Sequence, residues 1–156
     1  MSNIMRKFSK ILVAIDGSQP SIDAADYAIK LAKKDNSELI AITVLDISTP
    51  KRLSSSFITA PTYGLKELEE ERKEAQQWLD TIAKRVEKRE NSIFKSEIIE
   101  DSISRVGSSI VDYAEHENVD LIVIGTRGRT GFKRLLLGSV ASDVVTYAHC
   151  PVMVVK

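Results

Sequence analysis

The chain has 156 residues, 43% of them hydrophobic and 28% charged, and its 22 Lys and Arg balance its 22 Asp and Glu. These proportions are typical of a globular protein, and a neutral chain without a basic tail disfavours a nucleic acid as the main partner. One cysteine allows no intramolecular disulfide, which fits a reducing cytoplasm. Residues 1–8 are too polar for a signal peptide, and no apolar run approaches the roughly 20 residues that cross a membrane. We therefore expect one cytoplasmic domain over 1–156.

Short apolar runs and an amphipathic segment alternate in the first part of the chain. The run 11–15 is continuously apolar and rich in branched residues, which predicts a strand covered on both faces. Asp16-Gly17-Ser18 interrupts it, and Ser18 is a suitable N-cap for a helix that reaches about Lys34. The run 39–45 predicts the second strand. The helical spacing between these strands comes from Ile22, Ala25, Ile29 and Ala32.

The middle of the chain is predicted to hold a loop, a long helix, a strand and a further helix. Residues 46–63 are rich in Ser, Thr and Pro without a clear period, which favours a mobile loop. The periodic, charged segment 64–90 predicts a solvated amphipathic helix, and 92–100 predicts a weakly patterned strand. Gly107 lies in the next helix, where we interpret it as a close packing point against the sheet rather than a ligand contact. This third helix is marked by Ile103, Val106, Ile110, Val111 and Ala114.

Two strands and one helix complete the pattern. Residues 119–124 predict a buried strand, 139–149 a helix and 151–155 a last strand. The order β-α-β-α-β-α-β-α-β predicts an α/β fold, a parallel sheet with helices on both faces. In such sheets ligands bind beyond the carboxyl ends of the strands, where the strand order reverses. We therefore expect the loops after the first, second and fourth strands to meet at a binding site.

The loop after the fourth strand has the composition of a phosphate site. Gly125, Gly128, Gly138 and Ser139 are spaced as Gly-x2-Gly-x9-Gly-Ser. Glycines let the backbone approach a ligand, and the following helix offers free N–H groups with a partial positive charge. The alternative, turn glycines followed by an N-cap serine, is disfavoured by the basic residues between them. The loop carries no acidic residue and four basic ones, Arg127, Arg129, Lys133 and Arg134.

This spacing excludes two common nucleotide motifs. No Gly-Lys-Ser/Thr follows the glycines, as a Walker A loop requires. A dinucleotide fingerprint needs Gly-x-Gly-x-x-Gly after the first strand and an acidic residue about 20 positions further on. The loop instead follows the fourth strand, so a different kind of phosphate site is expected.

Four segments of the chain resemble the universal stress protein family, and in particular its ATP-binding branch. They are residues 11–18, Thr43-Val44-Leu-Asp46, the loop 125–139 and residues 150–155. The ATP-binding signature of that family is Gly-x2-Gly-x9-Gly-(Ser/Thr), and the loop matches it at every position. The resemblance implies a five-stranded parallel, Rossmann-like sheet of order 3-2-1-4-5. It also implies a homodimer joined through the last strand, Pro151–Val155.

The resemblance further implies a set of nucleotide contacts. Asp16 would lie by the ribose and phosphates, and the backbone of Val44 would meet the adenine. Many relatives carry His where this chain has Thr43, a departure that we expect to affect packing more than binding. The implied cofactor-binding residues are Ala14, Asp16, Val44, Gly125, Thr126, Arg127, Gly128, Arg129, Gly138, Ser139 and Val140.

Two of these residues have an alternative interpretation. Asp16 can accept from ribose hydroxyls or hold a Mg²⁺ ion bound to the phosphates, yet with Ser18 it can instead cap the first helix. Val44 can simply belong to the core, because backbone recognition of adenine leaves little side-chain signal. We expect ATP with Mg²⁺ as the ligand, with AMP or cyclic AMP as alternatives.

No residue set in the sequence points to strong catalysis. His116 lies in a polar stretch and His149 at the predicted end of the last helix, and we expect Cys150 to be a small buried residue. The expected function is an ATP-binding switch in the stress response, with little or no hydrolysis. One alternative is a slow Mg-dependent ATPase in which Asp16 and the metal orient water. The other is a nucleotide-independent dimeric interaction protein, which the Gly-Ser motif disfavours.

Overall fold

The computed structural model describes residues 7–47, 62–88, 93–127 and 137–156. The predicted alternation of strands and helices is confirmed. The elements in chain order are β1 (Lys10–Ala14), α1 (Gln19–Asp35), β2 (Glu38–Asp46), α2 (Thr62–Glu87), β3 (Phe94–Asp101), α3 (Val106–His116), β4 (Leu121–Gly125), α4 (Ser139–Tyr147) and β5 (Val152–Val155).

The strands form one parallel sheet, as the pattern predicts, and its order β3-β2-β1-β4-β5 is the one that the family resemblance implies. In β1, Ile11 pairs with Leu39 of β2 on one side and with Leu121 of β4 on the other. The chain winds outward from β1 in one direction and then returns to add β4 and β5 on the other side. The strand order therefore reverses between β1 and β4, where the connections leave a crevice at the carboxyl ends.

Two apolar layers cover the sheet, because alternate side chains of a strand point to opposite faces. Ile11 and Val13 of β1 pack with α1 and α2 on one face. Leu12 packs with α3 and α4 on the other face, together with Ile40 and Ile122. These strand residues are each 0% exposed, which explains the continuous apolar runs in the sequence. Full burial stabilises the fold by about 1.5–3 kcal/mol for each such side chain.

The first helix begins as the sequence predicts. Ser18 is the N-cap of α1, and its side chain accepts a hydrogen bond from the Ser21 N–H. Pro20 lies in the first turn, where a missing N–H leaves no intrahelical bond unmade. The helix ends at Asn36, which adopts the left-handed conformation with φ 56°.

The third helix begins later than predicted. α3 begins at Val106, and Ile103 lies outside it with 93% of its surface exposed, so assigning Ile103 to the helix was wrong. The carboxylate of Asp101 accepts hydrogen bonds from the N–H groups of Ile103 and Ser104, which holds this segment in a turn. The bond from the Ser104 N–H has the largest effect on the pKa of Asp101 and the bond from the Ile103 N–H the next largest. They lower this pKa to about 2.

The other boundary differences are small. α4 ends at Tyr147, so His149 lies beyond the helix and not at its end. Ala148 is already extended, with ψ 138°, and Pro151 keeps the chain from resuming a helix before β5. Most of the predicted loop 46–63 lies outside the described residues. Of its positions, 46, 47, 62 and 63 are described; β2 ends at Asp46 and α2 begins at Thr62.

Candidate functional site

A cavity of about 360 Å³ opens at the carboxyl ends of β1, β2 and β4, where the strand order reverses. Its wall comes from strand ends, from the connections after β1 and β4, and from the first turns of α1, α3 and α4. Of the sequence-predicted site residues, Gly128 and Arg129 lie outside the described residues. All the others line this cavity, namely Ala14, Asp16, Val44, Gly125, Thr126, Arg127, Gly138, Ser139 and Val140.

Several wall residues were not among the predicted site residues. Val106 and Ile110 of α3 add apolar side chains to the wall, and the sequence analysis identified them only as part of the apolar stripe of a helix. Their spacing of four places both on the sheet-facing side of α3, which is the one signal in the sequence. The remaining unpredicted wall residues are Ile15, Ser21, Ile124 and Ala141.

The amino end of α4 presents unpaired donors to the cavity. Gly138 is the N-cap and no side chain caps the helix. The Gly138 N–H donates to the carbonyl oxygen of Thr126 at 2.7 Å, which closes the base of the loop. Within the described part of the chain, the N–H groups of Ser139, Val140 and Ala141 have no acceptor. Three free N–H groups and the positive end of the helix dipole favour an anion at this point.

Asp16 supports the first helix as predicted, and it also lies on the cavity wall, where its ligand role stays a prediction. Its Oδ1 accepts from the N–H of Ser18 at 2.9 Å and from the hydroxyl of Ser18 at 2.5 Å, so it supports the start of α1. Asp16 also lines the cavity, and its Oδ2 accepts no hydrogen bond from any described residue. The capping role and a ligand role therefore use different oxygens of one carboxylate.

The loops after β1 and β4 touch at the mouth of the cavity. The Ser18 hydroxyl lies 3.5 Å from the carbonyl oxygen of Arg127. Ser21, which is 3% exposed, accepts from the Asp16 N–H at 3.3 Å and donates to the Ser18 carbonyl at 2.8 Å. These bonds fix the turn after β1 against the first turn of α1, so Asp16 has a defined position on the cavity wall.

Gly125 is constrained by packing as well as by its place in the loop. A Cβ built on Gly125 would lie 2.7 Å from the carbonyl carbon of Pro20 and 2.9 Å from its oxygen. Real Cβ atoms do not approach backbone this closely, so only glycine lets the end of β4 meet the start of α1. The sequence suggested ligand approach as the reason for this glycine, and helix packing is a second reason.

Gly107 is a packing point, although its partner is not the predicted one. A Cβ on Gly107 would lie 2.5 Å from the Cβ of Asp143 on α4. The expected partner was the sheet, so that part of the interpretation was wrong. Gly107 lets α3 lie close to α4, and both helices contribute to the cavity wall, through Val106 and Val140.

Thr43 belongs to the core rather than to the cavity. It is 2% exposed, and its hydroxyl has no hydrogen-bond partner among the described residues. Its neighbours Ile42 and Val44 pack toward α3 and α4, so alternation along β2 turns Thr43 to the opposite face. Thr43 is therefore a packed position, and its smaller effect on nucleotide binding stays a prediction.

Other reactive groups show little sign of a second site. Burial is the main reason that the pKa of the Cys150 thiol is raised, which keeps it protonated and weakly nucleophilic. Across residues 7–47, 62–88, 93–127 and 137–156, no group of three or more His, Cys, Asp or Glu side chains could hold a metal ion. In the same ranges no helix has the length and apolarity needed to cross a membrane.

The fold and the cavity together define a doubly wound α/β protein with a ligand cleft at its topological switch point. Comparison with known families then gives the particular family. The universal stress protein family model matches residues 7–156. The chain therefore belongs to the universal stress protein family, as the sequence segments suggested.

Individual relatives agree with this assignment. A universal stress protein of Methanocaldococcus jannaschii is 40% identical over 151 residues, covering 96% of this chain and 82% of the relative. The solved structure of universal stress protein UspA from Lactobacillus plantarum superposes with a TM-score of 0.82 at 27% identity, covering 96% of this chain and 99% of that one.

Some solved members of the family carry a bound nucleotide. A universal stress protein from Archaeoglobus fulgidus has been solved in complex with dAMP; it shares 22% identity and a TM-score of 0.64, with 96% of this chain and 99% of that chain covered. Another universal stress protein, solved in complex with cAMP, shares 22% identity and a TM-score of 0.63, with coverages of 96% and 98%. At this identity the likeness establishes a common fold.

Proposed function

We propose that this chain binds an adenine nucleotide, with ATP as the principal ligand, in the cavity between β1 and β4. The observation that carries the proposal is the set of three N–H groups at Ser139, Val140 and Ala141, which have no acceptor among the described residues and belong to a cavity wall that is otherwise largely apolar. Such a site suits a ligand with an anionic end and a flat apolar end. A nucleotide has both.

The two ends of the nucleotide are assigned to different parts of the wall. Phosphates meet the start of α4 and the adjoining glycine loop, where Arg127 adds positive charge. The base lies among Val44, Val106 and Ile110, whose side chains offer apolar contact but no hydrogen bonds. Asp16 lies between these regions, so its free Oδ2 accepts from ribose hydroxyls. The dAMP and cAMP complexes of relatives support adenine as the base.

Mg²⁺ fits this site only as a companion of the phosphates. Among the described residues Asp16 is the one carboxylate on the cavity wall, and Mg²⁺ prefers six oxygen ligands. Asp16 would supply one oxygen, and the phosphates and water would supply the rest. The ion would neutralise phosphate charge, and Asp16 would help to hold the ion in place.

Occupancy of the site, rather than hydrolysis, is proposed as the functional event, in the manner of a switch in the stress response. The described wall contains no histidine, lysine or second carboxylate that could act as a general base. We expect phosphate release from Mg-ATP to stay at the background rate for the wild type and for Asp16→Asn. A slow ATPase predicts otherwise: measurable release in the wild type that Asp16→Asn abolishes while ATP binding is retained.

The switch is proposed to act as a homodimer formed through the last strand, predicted as Pro151–Val155. β5 is an edge strand, and its residues Val152–Val154 are only partly buried in a single chain. An apolar edge strand favours association, and a second copy about a two-fold axis would cover it. Light scattering should give twice the mass of one chain over a wide concentration range. A single-chain mass throughout would rule the dimer out.

A further inference from the structure

The turn that carries Asp16 has an unusual backbone position at its centre. Gly17 has φ +79°, a conformation that residues with a side chain rarely adopt. It lies between Asp16, which lines the cavity, and Ser18, which caps α1. Any shift of Gly17 therefore moves both the carboxylate and the helix cap.

The side of Gly17 on which a side chain would project is closed by Trp78 of α2. A Cβ built on Gly17 would lie 2.4 Å from Cε2 and 2.5 Å from Cζ2 of the indole. The ring therefore packs directly against the glycine backbone. Trp78 is held from behind by the core, and its neighbours Leu79 and Ile82 are 1% and 0% exposed.

The turn is thus clamped between two groups. Ser18 and Ser21 hold it through hydrogen bonds from the α1 side, and Ser18 also reaches the Arg127 carbonyl across the cavity mouth. The indole closes the remaining side of the turn by packing against Gly17. Hydrogen bonds set the conformation of the turn, whereas Trp78 sets how far it can recede from the cavity.

From this geometry we infer that Trp78 is a positioning residue for the nucleotide site. It supports Gly17 so that Asp16 meets the ligand, although it touches no ligand itself. The inference rests on the proposed nucleotide binding. A nucleotide that displaces the turn would also displace the indole. The inference therefore assigns to α2 a conformational response to nucleotide binding.

Calorimetric ATP titrations of three variants test the positioning role. Trp78→Ala should bind ATP about tenfold more weakly or worse, because small displacements in a site are costly. Trp78→Phe keeps a flat ring against Gly17 and should stay within about threefold of the wild type. Ile82→Ala is the matched control, since it removes a buried side chain of the same core and the same helix, whereas the three atoms nearest a Gly17 Cβ all belong to Trp78. It should lower the melting temperature and leave the affinity within about threefold.

Fluorescence provides a second readout that a purely structural role would not produce. Trp78 is the chain's one tryptophan, so indole emission reports this contact alone. In the wild type, emission should change on adding ATP and saturate at the calorimetric Kd. If Trp78→Ala does not fold, this fluorescence measurement on the wild type tests the positioning role by itself.

The outcomes separate this inference from the proposed function. If the wild type binds no adenine nucleotide, the proposed function fails and the inference fails with it. If the wild type binds ATP but its indole emission stays constant, only the inference is overturned. The same holds if Trp78→Ala binds like the wild type, or if Ile82→Ala loses as much affinity as Trp78→Ala.

Discussion

Gly125→Ala should lower the free energy of unfolding by about 1–3 kcal/mol, the usual cost of overpacking. The added Cβ would lie within 3 Å of the Pro20 backbone, and backbone cannot rotate away as a side chain can. The end of β4 and the start of α1 must therefore separate, and the loops after β1 and β4 with them. We expect urea denaturation to show lower stability for Gly125→Ala. We also expect the folded fraction of this variant to bind ATP more weakly than the wild type.

The matched control is Gly64→Ala. Gly64 lies in the first turns of α2, and a Cβ built there meets nothing within 4 Å. This change should leave stability equal or raise it by up to about 1 kcal/mol, since Ala is the better helix former. Equal stabilities for Gly125→Ala and the wild type would show that the close approach to Pro20 does not constrain the fold.

Ser139→Asp should change stability and binding in opposite directions. A carboxylate in the first turn of α4 complements the helix dipole and should add about 0.3–1 kcal/mol of stability. The same charge would stand where the proposed phosphates bind. Repulsion between charges roughly 4 Å apart near a protein surface should weaken ATP binding by about a hundredfold or more. Thermal melts and calorimetry measure the two effects separately.

Ser142→Asp is the charge-matched control for this prediction. Ser142 lies on the same helix, but it is exposed and does not line the cavity. Solvent screens its charge, so ATP affinity should fall far less than in Ser139→Asp. If Ser139→Asp binds ATP as the wild type does, the phosphates do not lie at the start of α4.

The fold was predictable because its strands carry a strong pattern. Continuous apolar runs such as 11–15 have one simple explanation, a strand buried on both faces, and the structure buries them in that way. Boundaries were harder. Ile103 lies three residues before Val106 and therefore continues the apolar stripe of the helix. However, the Ile103 N–H donates to the carboxylate of Asp101, and this bond holds Ile103 outside the helix. Hydrophobic spacing carries no information about such bonds.

The site was predictable where it depends on backbone and charge. Glycines and a serine at a strand-to-helix junction indicated the start of α4, whose first N–H groups have no acceptor in the part of the chain that the structure describes. What escaped prediction depends on tertiary contact. Val106 reaches the cavity because Gly107 allows α3 to approach α4, and Trp78 meets Gly17 across a long sequence separation. Neither contact produces a periodic pattern of residue types, so a single sequence does not reveal it.

The most direct test of nucleotide binding is an isothermal titration of the wild-type chain with ATP. The proposed site predicts saturable binding of one ATP per chain. Absence of saturable heat with ATP, and equally with AMP and cyclic AMP, would contradict it.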